Sequence, residues 1–273
     1  MHAGDLTTFR RVNLFGTEVC ALNMDEVLSV CEDCVCNKTP LLLGVVNVAK
    51  LVNCRKNTVL RESLGQADII LADGLPIVWL SKLIGDPLPE RVAGIDIMYN
   101  LLEKACARNY SVYFLGAKPE VVKKAVEVIK ASYPGLRLAG YRDGYFDEFE
   151  ERGIAEHIKK SSADILFVAM SSPKKEIFLR KWRDYINVSV CHGVGGSFDV
   201  VAGITKRAPF WMQKCGMEWF YRLIQEPRKM WRRYLTTNAV FIKMALEAIV
   251  RAKFSGMAEE SGIGTTSSDR REE

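Results

Sequence analysis

Residues 71–98, LADGLPIVWLSKLIGDPLPERVAGIDIM, contain the pattern on which the fold prediction rests. The apolar residues at its start predict a buried strand that ends at Asp73-Gly74, and the apolar spacing that follows predicts a helix. A proline-containing loop then leads to Arg91. An acid at the carboxyl end of a strand, with an arginine on the neighbouring loop, suits a site that binds an anion and moves a proton. A turn aspartate and a surface arginine are the alternative interpretation.

Strands and helices alternate along most of the remaining chain. A short hairpin with its turn at Gly16 is expected first, and strands followed by helices of about a dozen residues repeat after it. Strands are predicted at residues 41–48, 67–72, 111–115, 137–141, 165–170 and 188–194, and the first of these, a continuous apolar run, is expected to be buried. This alternation predicts an α/β fold, a mostly parallel, Rossmann-like sheet covered by helices on both faces.

The basic charge is concentrated in one segment near the end of the chain. Residues 1–203 contain 25 Lys and Arg against 25 Asp and Glu, whereas residues 204–254 contain 11 against 3, with nine aromatic side chains. We therefore divide the chain into an α/β core (1–203), a helical basic and aromatic appendage (204–254) and a disordered tail (255–273). Pro227 is expected to split the appendage into two helical pieces.

The composition of the appendage is compatible with three roles: a packed helical pair, a surface for nucleic acid, or a helix lying on a membrane. Tryptophan and tyrosine beside lysine and arginine are typical of an interfacial helix. Single-stranded nucleic acid would use similar groups, but no recognised nucleic-acid module precedes the segment. We therefore expect an anionic membrane surface as a partner, and no nucleic acid.

Composition also limits the other classes of protein. No uncharged apolar stretch is long enough to span a bilayer, and the start of the chain lacks the apolar region of a secretory signal. Cys31, Cys34 and Cys36 are spaced like metal ligands, but no histidine or second cysteine pair accompanies them,. We expect a cytoplasmic protein, peripheral on a membrane, without a bound metal or cofactor.

Two glycine-containing turns follow predicted strands, GAKP at Gly116 and GVGG around Gly195. Their backbone N–H groups are suited to phosphate, but neither turn matches GxGxxG or a Walker loop, so each is equally compatible with a plain tight turn. Their position on the same sheet edge as Asp73 favours a nucleotide site. Lys175, in the first turn of a helix, is either an anion ligand or an ordinary surface group. His192 lacks a neighbouring nucleophile signature and is expected in the core.

A longer series of motifs runs through the chain. In order, these are Asn47, Asp73-Gly74, PERVAGID (89–96), DGYF (143–146), SPKKE (172–176), GVGGSFD (193–199), Arg207-Ala208-Pro209, Glu218-Trp219 and QEPR (225–228). The series resembles that of the WecG/TagA/CpsF glycosyltransferases over roughly residues 10–235. PERVAGID together with GVGGSFD is a specific combination.

The resemblance implies an inverting, metal-independent enzyme of cell-surface polysaccharide synthesis. It would transfer a sugar, of the N-acetylmannosamine type or a related hexose, from a UDP-sugar to a polyprenyl-diphosphate-linked saccharide at the inner face of a bacterial membrane. By resemblance, Asp73 is the general base and Arg91 stabilises the departing diphosphate. The residues then expected to bind substrate are Asn47, Gly74, Gly94, Asp96, Gly116, Tyr145, Lys175, Gly195, Asp199, Arg222, Lys229 and Arg232.

Two positions depart from the family pattern. Many members have threonine where this chain has Val45, and glutamine where it has Lys175. Both positions neighbour the sugar, so the identity of the donor sugar does not follow from the resemblance. The acceptor glycan, the role of the cysteine cluster and self-association into a homo-oligomer are left open.

Two other functional classes remain as alternatives. The first is a non-catalytic nucleotide- or nucleic-acid-binding α/β protein with a basic tail. The second is a nicotinamide oxidoreductase on the same type of sheet, which the missing GxGxxG disfavours.

Overall fold

The computed structural model describes the backbone of residues 8–262 and the side chains of these residues except 229, 233 and 255–262. Eight strands and twelve helices follow one another in this part of the chain. The strands are β1 (Arg11–Leu14), β2 (Thr17–Cys20), β3 (Leu41–Val46), β4 (Ile69–Ala72), β5 (Ser111–Gly116), β6 (Arg137–Arg142), β7 (Ile165–Ala169) and β8 (Val190–Gly193). The helices are α1 (Met24–Asn37), α2 (Val48–Lys56), α3 (Thr58–Gly65), α4 (Leu75–Leu83), α5 (Gly94–Arg108), α6 (Pro119–Ser132), α7 (Glu151–Ser161), α8 (Lys174–Ile186), α9 (Ser197–Val201), α10 (Phe210–Lys214), α11 (Glu218–Gln225) and α12 (Pro227–Gly262).

Six strands form one parallel sheet in the order β4-β3-β8-β7-β5-β6. The remaining two, β1 and β2, form the expected hairpin as a separate antiparallel pair. The predicted α/β class with a parallel sheet and covering helices is therefore confirmed. Because every strand of the large sheet runs in the same direction, all six carboxyl ends meet at one edge, where ligands bind in such folds.

The sheet is buried on both faces, as the near-continuous apolar strands require. Along β3, Leu41, Leu43 and Val45 pack into one apolar cluster, while Leu42 and Val46 pack into a second cluster on the opposite face. The first cluster also contains apolar residues of α1, α5, α6 and α9. The second contains those of α2, α3, α4, α7, α8 and α12. The alternation of side chains along each strand thus produces a three-layer arrangement.

The appendage contains three helices, and not the two pieces expected from Pro227 alone. The additional break falls at Gly216, which separates α10 from α11 and has a φ of +69°. A Cβ at this position would lie 2.9 Å from Trp79 Cη2, so close packing as well as the left-handed backbone requires glycine,.

The last helix, α12, packs against the core through one of its sides. Phe241 and Met244 are buried in the second apolar cluster, and the Phe241 ring lies edge-on to Phe15 at 6.3 Å between centroids. The helix continues to Gly262, into the segment expected to be disordered from 255, because Met, Ala and Glu at 257–260 are strong helix formers,. The remaining tail positions, 263–273, lie outside the described residues. The division into core, appendage and tail stays a prediction.

Within residues 8–262, no helix combines the length and the apolar character that crossing a bilayer requires.

Candidate active site

Six of the residues expected at the site lie at, or shortly after, the carboxyl ends of six different strands. In the order of the strands from β4 to β6, they are Asp73, Asn47, Gly195, Lys175, Gly116 and Tyr145. The fold therefore places all six at the same edge of the sheet. Neighbouring strands lie about 4.8 Å apart, so this edge offers a surface along which an extended ligand can lie.

Asp73 is fixed at the end of β4 by the backbone on both sides of it. Its N–H donates to the Val46 carbonyl at 2.8 Å, and its Oδ1 accepts from the backbone N–H of Gly94 at 3.2 Å. The Val92 N–H donates to the Ala72 carbonyl at 2.9 Å and anchors the loop that carries Arg91. The acid and the arginine that were predicted to act together are thus attached to the same strand end.

The pKa of Asp73 is raised to about 6. Burial is the largest cause, and the nearby negative charge of Glu218 adds to it,. Arg91, the Gly94 amide and Lys50 stabilise the ionised form and oppose the rise. At neutral pH the group is therefore mostly a carboxylate, yet it is a stronger base than an ordinary aspartate.

Two arginines and two acids form a charge quartet next to Asp73. Arg91 contacts Glu218 Oε2 through Nη1 at 2.6 Å and Asp96 Oδ2 through Nη2 at 3.2 Å. Arg207 contacts Asp96 Oδ1 at 2.6 Å, and its Nε lies 4.0 Å from Glu218 Oε1. The quartet connects the start of α5 with the first residue of α11. Arg91 and Asp96, both expected to meet substrate, are therefore paired with protein groups in this structure.

A second charged cluster lies beneath the sheet edge. Lys50 Nζ donates to the Val45 carbonyl at 2.6 Å and lies 3.0 Å from Glu176 Oε1, while Lys175 Nζ is 3.2 Å from the same oxygen. All three side chains are nearly inaccessible to solvent. Burial, reinforced by the charge of Lys50, lowers the pKa of Lys175 to about 8. Burial alone would raise the pKa of Glu176, but Lys50 and Lys175 outweigh it and the pKa is lowered.

The Lys175 side chain runs beneath the glycine turn that follows β8. A Cβ at Gly193 would lie 3.1 Å from Lys175 Cδ and Cε, and a Cβ at Gly195 would lie 3.9 Å from its Nζ. The interpretation of Lys175 as a solvated surface lysine is therefore wrong, because the turn covers it.

His192, the residue before this turn, is fully buried on β8. Its Nε2 is 3.0 Å from the carbonyl oxygen of Gly94, and burial lowers its pKa to about 4, so the ring is neutral. The expectation of a core histidine is confirmed. A Cβ at Gly94 would be 3.4 Å from this Nε2, so the ring and the start of α5 are in van der Waals contact.

Arg222 and Asp199 meet at the glycine turn from two different helices. A Cβ at Gly196 would lie 2.8 Å from Arg222 Nη2 and 3.7 Å from Asp199 Oδ2. Arg222, on α11, also lies 3.9 Å from Glu226 Oε2 through its Nε. The fold thus brings an arginine of the appendage to the same turn as Gly195, which agrees with their common assignment to the substrate site.

Asn47 and Gly74 are the N-cap residues of the helices that follow β3 and β4. The Asn47 side chain accepts from the Lys50 N–H at 3.0 Å, and the Gly74 carbonyl accepts from the Ile77 N–H at 3.0 Å. Both residues shape helix N-termini at the sheet edge that carries Asp73, where an anion is favoured by the helix dipole.

Gly116 has a packing role that the sequence did not indicate. With a φ of +126°, a Cβ there would be only 2.4 Å from the Ala169 carbonyl oxygen. That oxygen also accepts the N–H of Ala117 at 2.7 Å, so this donor of the predicted phosphate turn is already in use. Gly116 is required for contact between β5 and β7, and its expected contact with substrate stays a prediction.

Tyr145 lies on an exposed loop after the edge strand β6. Lys174 Nζ donates to the carbonyls of Gly144 and Phe146 at 2.9 and 3.0 Å, which ties this loop to the first turn of α8. The loop therefore reaches back toward the neighbouring Lys175, although β6 is at the far side of the sheet from β4.

Two residues of α12 were also expected at the site. Arg232 is exposed and lies over the Trp231 ring at 5.2 Å from its centroid. The side chain of Lys229 lies outside the described residues.

Four charged residues of the site were not assigned a role from the sequence: Lys50, Glu176, Arg207 and Glu218. Arg207 and Glu218 belong to the motifs that carry the family resemblance. Their opposite charges, within an otherwise basic segment, were the sequence signal that could have indicated an ion pair. Nothing in the sequence around Lys50 distinguishes it from a lysine on the surface of a helix, because its burial depends on how the sheet edge folds over it.

The three clustered cysteines do not converge. On α1, Cys31 and Cys34 face the core and are buried, whereas Cys36 is exposed and its Sγ lies 3.6 Å from the Tyr110 hydroxyl. In the part of the chain that the structure describes, no three His, Cys, Asp or Glu side chains are placed to hold a metal ion.

A parallel sheet with an acid, guanidinium groups and glycine turns at its carboxyl edge is the construction of nucleotide-binding α/β enzymes. Comparison with known families narrows this class. The model of the glycosyl transferase WecG/TagA/CpsF family matches residues 12–255, and the chain belongs to this family. The resemblance stated from the motifs is confirmed.

Two relatives carry the same name, N-acetylglucosaminyldiphosphoundecaprenol N-acetyl-beta-D-mannosaminyltransferase. The protein of Bacillus spizizenii is 43% identical over 173 residues, which make up 63% of this chain and 66% of the relative. The protein of Bacillus subtilis is 39% identical over 175 residues, or 64% of this chain and 67% of the relative. The matched stretch thus spans about two thirds of each relative.

Proposed function

We propose that this protein is an inverting glycosyltransferase that moves an N-acetylmannosamine-type sugar from a UDP-sugar to a polyprenyl-diphosphate-linked saccharide. The observation that carries the proposal is the attachment of Asp73 and Arg91 to the same strand end. In addition, the names of both relatives describe transfer of N-acetylmannosamine to a diphosphoundecaprenol-linked acceptor.

Asp73 is the proposed general base. A sugar hydroxyl is a poor nucleophile until a base accepts its proton in the transition state, which contributes about 10²–10⁴-fold to the rate. A raised pKa makes the carboxylate a better proton acceptor while leaving it ionised at neutral pH. In an inverting reaction, the activated oxygen attacks the sugar from the side opposite to the leaving UDP, so the base and the diphosphate ligands need to face each other across the sugar.

The leaving diphosphate is the proposed partner of Arg91 and of the glycine turn. Negative charge collects on UDP as the glycosidic bond breaks, and a preorganised guanidinium stabilises that charge in a partly desolvated site. The Arg91 side chain is 14% exposed, so its charge is little screened by solvent. Arg222 at the glycine turn and the N-terminus of α2 provide further positive potential at the same sheet edge.

A membrane surface is the proposed location of the acceptor. The side of α12 opposite to buried Phe241 and Met244 carries exposed apolar residues at spacings of seven and four, which place them in one stripe,. This stripe consists of Leu235, Ile242, Leu246, Val250 and Phe254. Basic residues flank it, including Arg232 and Lys243, as in helices that lie on anionic lipid.

The donor sugar is proposed by class and not by identity. Val45, which is 9% exposed, and the covered Lys175 replace the threonine and glutamine expected at these positions. The pocket therefore has an apolar group and a cation where two neutral hydrogen-bonding groups were expected. This difference changes which substituents of the sugar the pocket can hydrogen-bond.

A screen of UDP-sugars tests the proposal. The full-length protein is incubated with each donor and a synthetic polyprenyl-diphosphate-linked N-acetylglucosamine, and the product mass is measured. We expect one added N-acetylhexosamine, and a loss of about 10²–10⁴-fold in kcat for Asp73→Asn. No product from any UDP-sugar would overturn the proposal, and unchanged turnover by Asp73→Asn would overturn the role of the base.

A further inference from the structure

Glu218 is positioned between two guanidinium groups. Its Oε2 lies 2.6 Å from Arg91 Nη1, and its Oε1 lies 4.0 Å from Arg207 Nε. This Arg207 Nε is buried and has no hydrogen-bond partner among the described residues. The carboxylate therefore satisfies one arginine well and leaves a donor of the other unused.

Such an arrangement suits a phosphate better than it suits a single carboxylate. Guanidinium groups bind carboxylates and phosphates with the same planar N–H pairs, and phosphate supplies more acceptor oxygens. The side chain of Arg91 is 14% exposed and that of Arg207 26%, whereas that of Glu218 is 38% exposed. The acid is thus the member with the most freedom to leave while the arginines stay.

We infer that Arg91 and Arg207 together form a diphosphate site, and that Glu218 occupies this site until the diphosphate of a substrate replaces it. The inference rests on the proposed function for the presence of a diphosphate, and it adds Arg207 as a second ligand. Two sources share this chemistry, the UDP part of the donor and the polyprenyl diphosphate of the acceptor. Asp96 contacts both arginines and keeps them in place when Glu218 leaves.

The inference also concerns the base. Asp73 is faced by Glu218 on α11, by Arg91 on the loop before α5, by Lys50 on α2 and by Lys175 on α8. Of these four groups only Glu218 is acidic, while Asp96 and Glu176 lie behind the cations, paired with Arg91 and with the two lysines. Neutralising Glu218 removes a negative charge that raises the Asp73 pKa, so the free enzyme should keep Asp73 ionised to a lower pH,.

The test compares Glu218→Gln with Glu247→Gln, which removes the same charge from an exposed position on α12. Binding of UDP and of a short-chain prenyl diphosphate is measured separately by calorimetry on the full-length protein. We expect Glu218→Gln to bind at least one of them about three- to tenfold more tightly, as removal of a partly exposed competing charge predicts. The control should bind both as the wild type does, and Arg207→Gln should weaken the binding that Glu218→Gln strengthens.

The binding results distinguish the two sources of the diphosphate and test whether Glu218 occupies its site. Tighter binding of UDP alone assigns the site to the donor, and tighter binding of the prenyl diphosphate alone assigns it to the acceptor. Equal or weaker binding of both by Glu218→Gln would overturn the inference, as would equal tightening by Glu247→Gln. Because the assay measures binding, it is independent of the product screen, so failure of sugar transfer leaves it interpretable.

A pH profile provides a second readout that a merely structural role would not change. The acid midpoint of kcat/KM, which reports the free enzyme, should fall in Glu218→Gln and stay in place in Glu247→Gln. A midpoint that does not move would overturn the coupling between Glu218 and the base.

Discussion

The backbone N–H of Gly94 donates to Asp73 Oδ1 at 3.2 Å, so the first residue of α5 fixes the carboxylate at the end of β4. The carbonyl of the same glycine is 3.0 Å from Nε2 of the buried His192. The proposed base is therefore positioned through one glycine by two elements of the core. Its orientation depends on packing as well as on charge.

The first prediction concerns pH. Burial, followed by the charge of Glu218, raises the pKa of Asp73 to about 6. The base acts when ionised, so kcat/KM should be constant above this pH and fall tenfold per unit below it. A pH series with a saturating acceptor and limiting donor measures the midpoint. A midpoint near 4, the value of an ordinary aspartate, would contradict the assignment.

The second prediction concerns the buried lysines. Glu176→Gln would leave Lys50 and Lys175 without their shared acid, and an uncompensated buried charge costs about 3–5 kcal/mol. We expect a corresponding decrease in the free energy of unfolding, measured by urea denaturation. Glu62→Gln is the control, because Glu62 also pairs with a cation, Arg180 at 3.4 Å, but its side chain is 59% exposed. A loss in Glu176→Gln no greater than in this control would show that the cluster contributes no stability.

The third prediction concerns glycine. Gly116→Ala places a Cβ 2.4 Å from the Ala169 carbonyl oxygen at a φ of +126°. Overpacking alone costs about 1–3 kcal/mol, and backbone strain adds to it. Gly153→Ala is the matched control on α7, where nothing lies within 4 Å of the added Cβ. Thermal unfolding should show a lowered midpoint for the first variant and an equal or higher one for the second, since alanine favours helix by about 1 kcal/mol over glycine.

The fourth prediction concerns the exposed stripe of α12. Ile242→Ser with Leu246→Ser should weaken sedimentation with anionic vesicles more than tenfold, since each buried aliphatic side chain contributes about 1.5–3 kcal/mol. Both residues are 59% exposed, so the fold should tolerate the changes. Val59→Ser, at a 48% exposed apolar residue on α3, is the control. Equal vesicle binding by the double variant and the control would exclude the stripe as the membrane contact.

The sequence was sufficient for the fold because local patterns and global topology agree. Continuous apolar strands such as β3 require cover on both faces, and the helices between them have the length to supply it,. The position of Asp73 followed from the same reasoning, since a strand end is fixed by the last apolar residue. The carboxyl edge then brought Asn47 and Gly195 near it without further assumptions.

The charge partners did not follow from the sequence, because they depend on contacts between distant segments. Arg91 and Glu218 are separated by 127 positions, and nothing in either neighbourhood indicates the other. The covering of Lys175 by the glycine turn has the same origin, since it depends on how β7 and β8 lie side by side. Local sequence predicts where a charged group sits along the sheet edge, whereas its burial is a tertiary property.

The way α12 covers Phe15 has a practical consequence for studies of self-association. A chain ending at residue 203 would lose Phe241 and Met244. The apolar side of α2 beneath them would then become a solvent-exposed hydrophobic patch,. We expect such a shortened protein to aggregate or to form dimers through that patch. The oligomeric state of the shortened protein would then reflect the apolar surface exposed by the deletion. Full-length chains with point substitutions are needed to measure the native assembly.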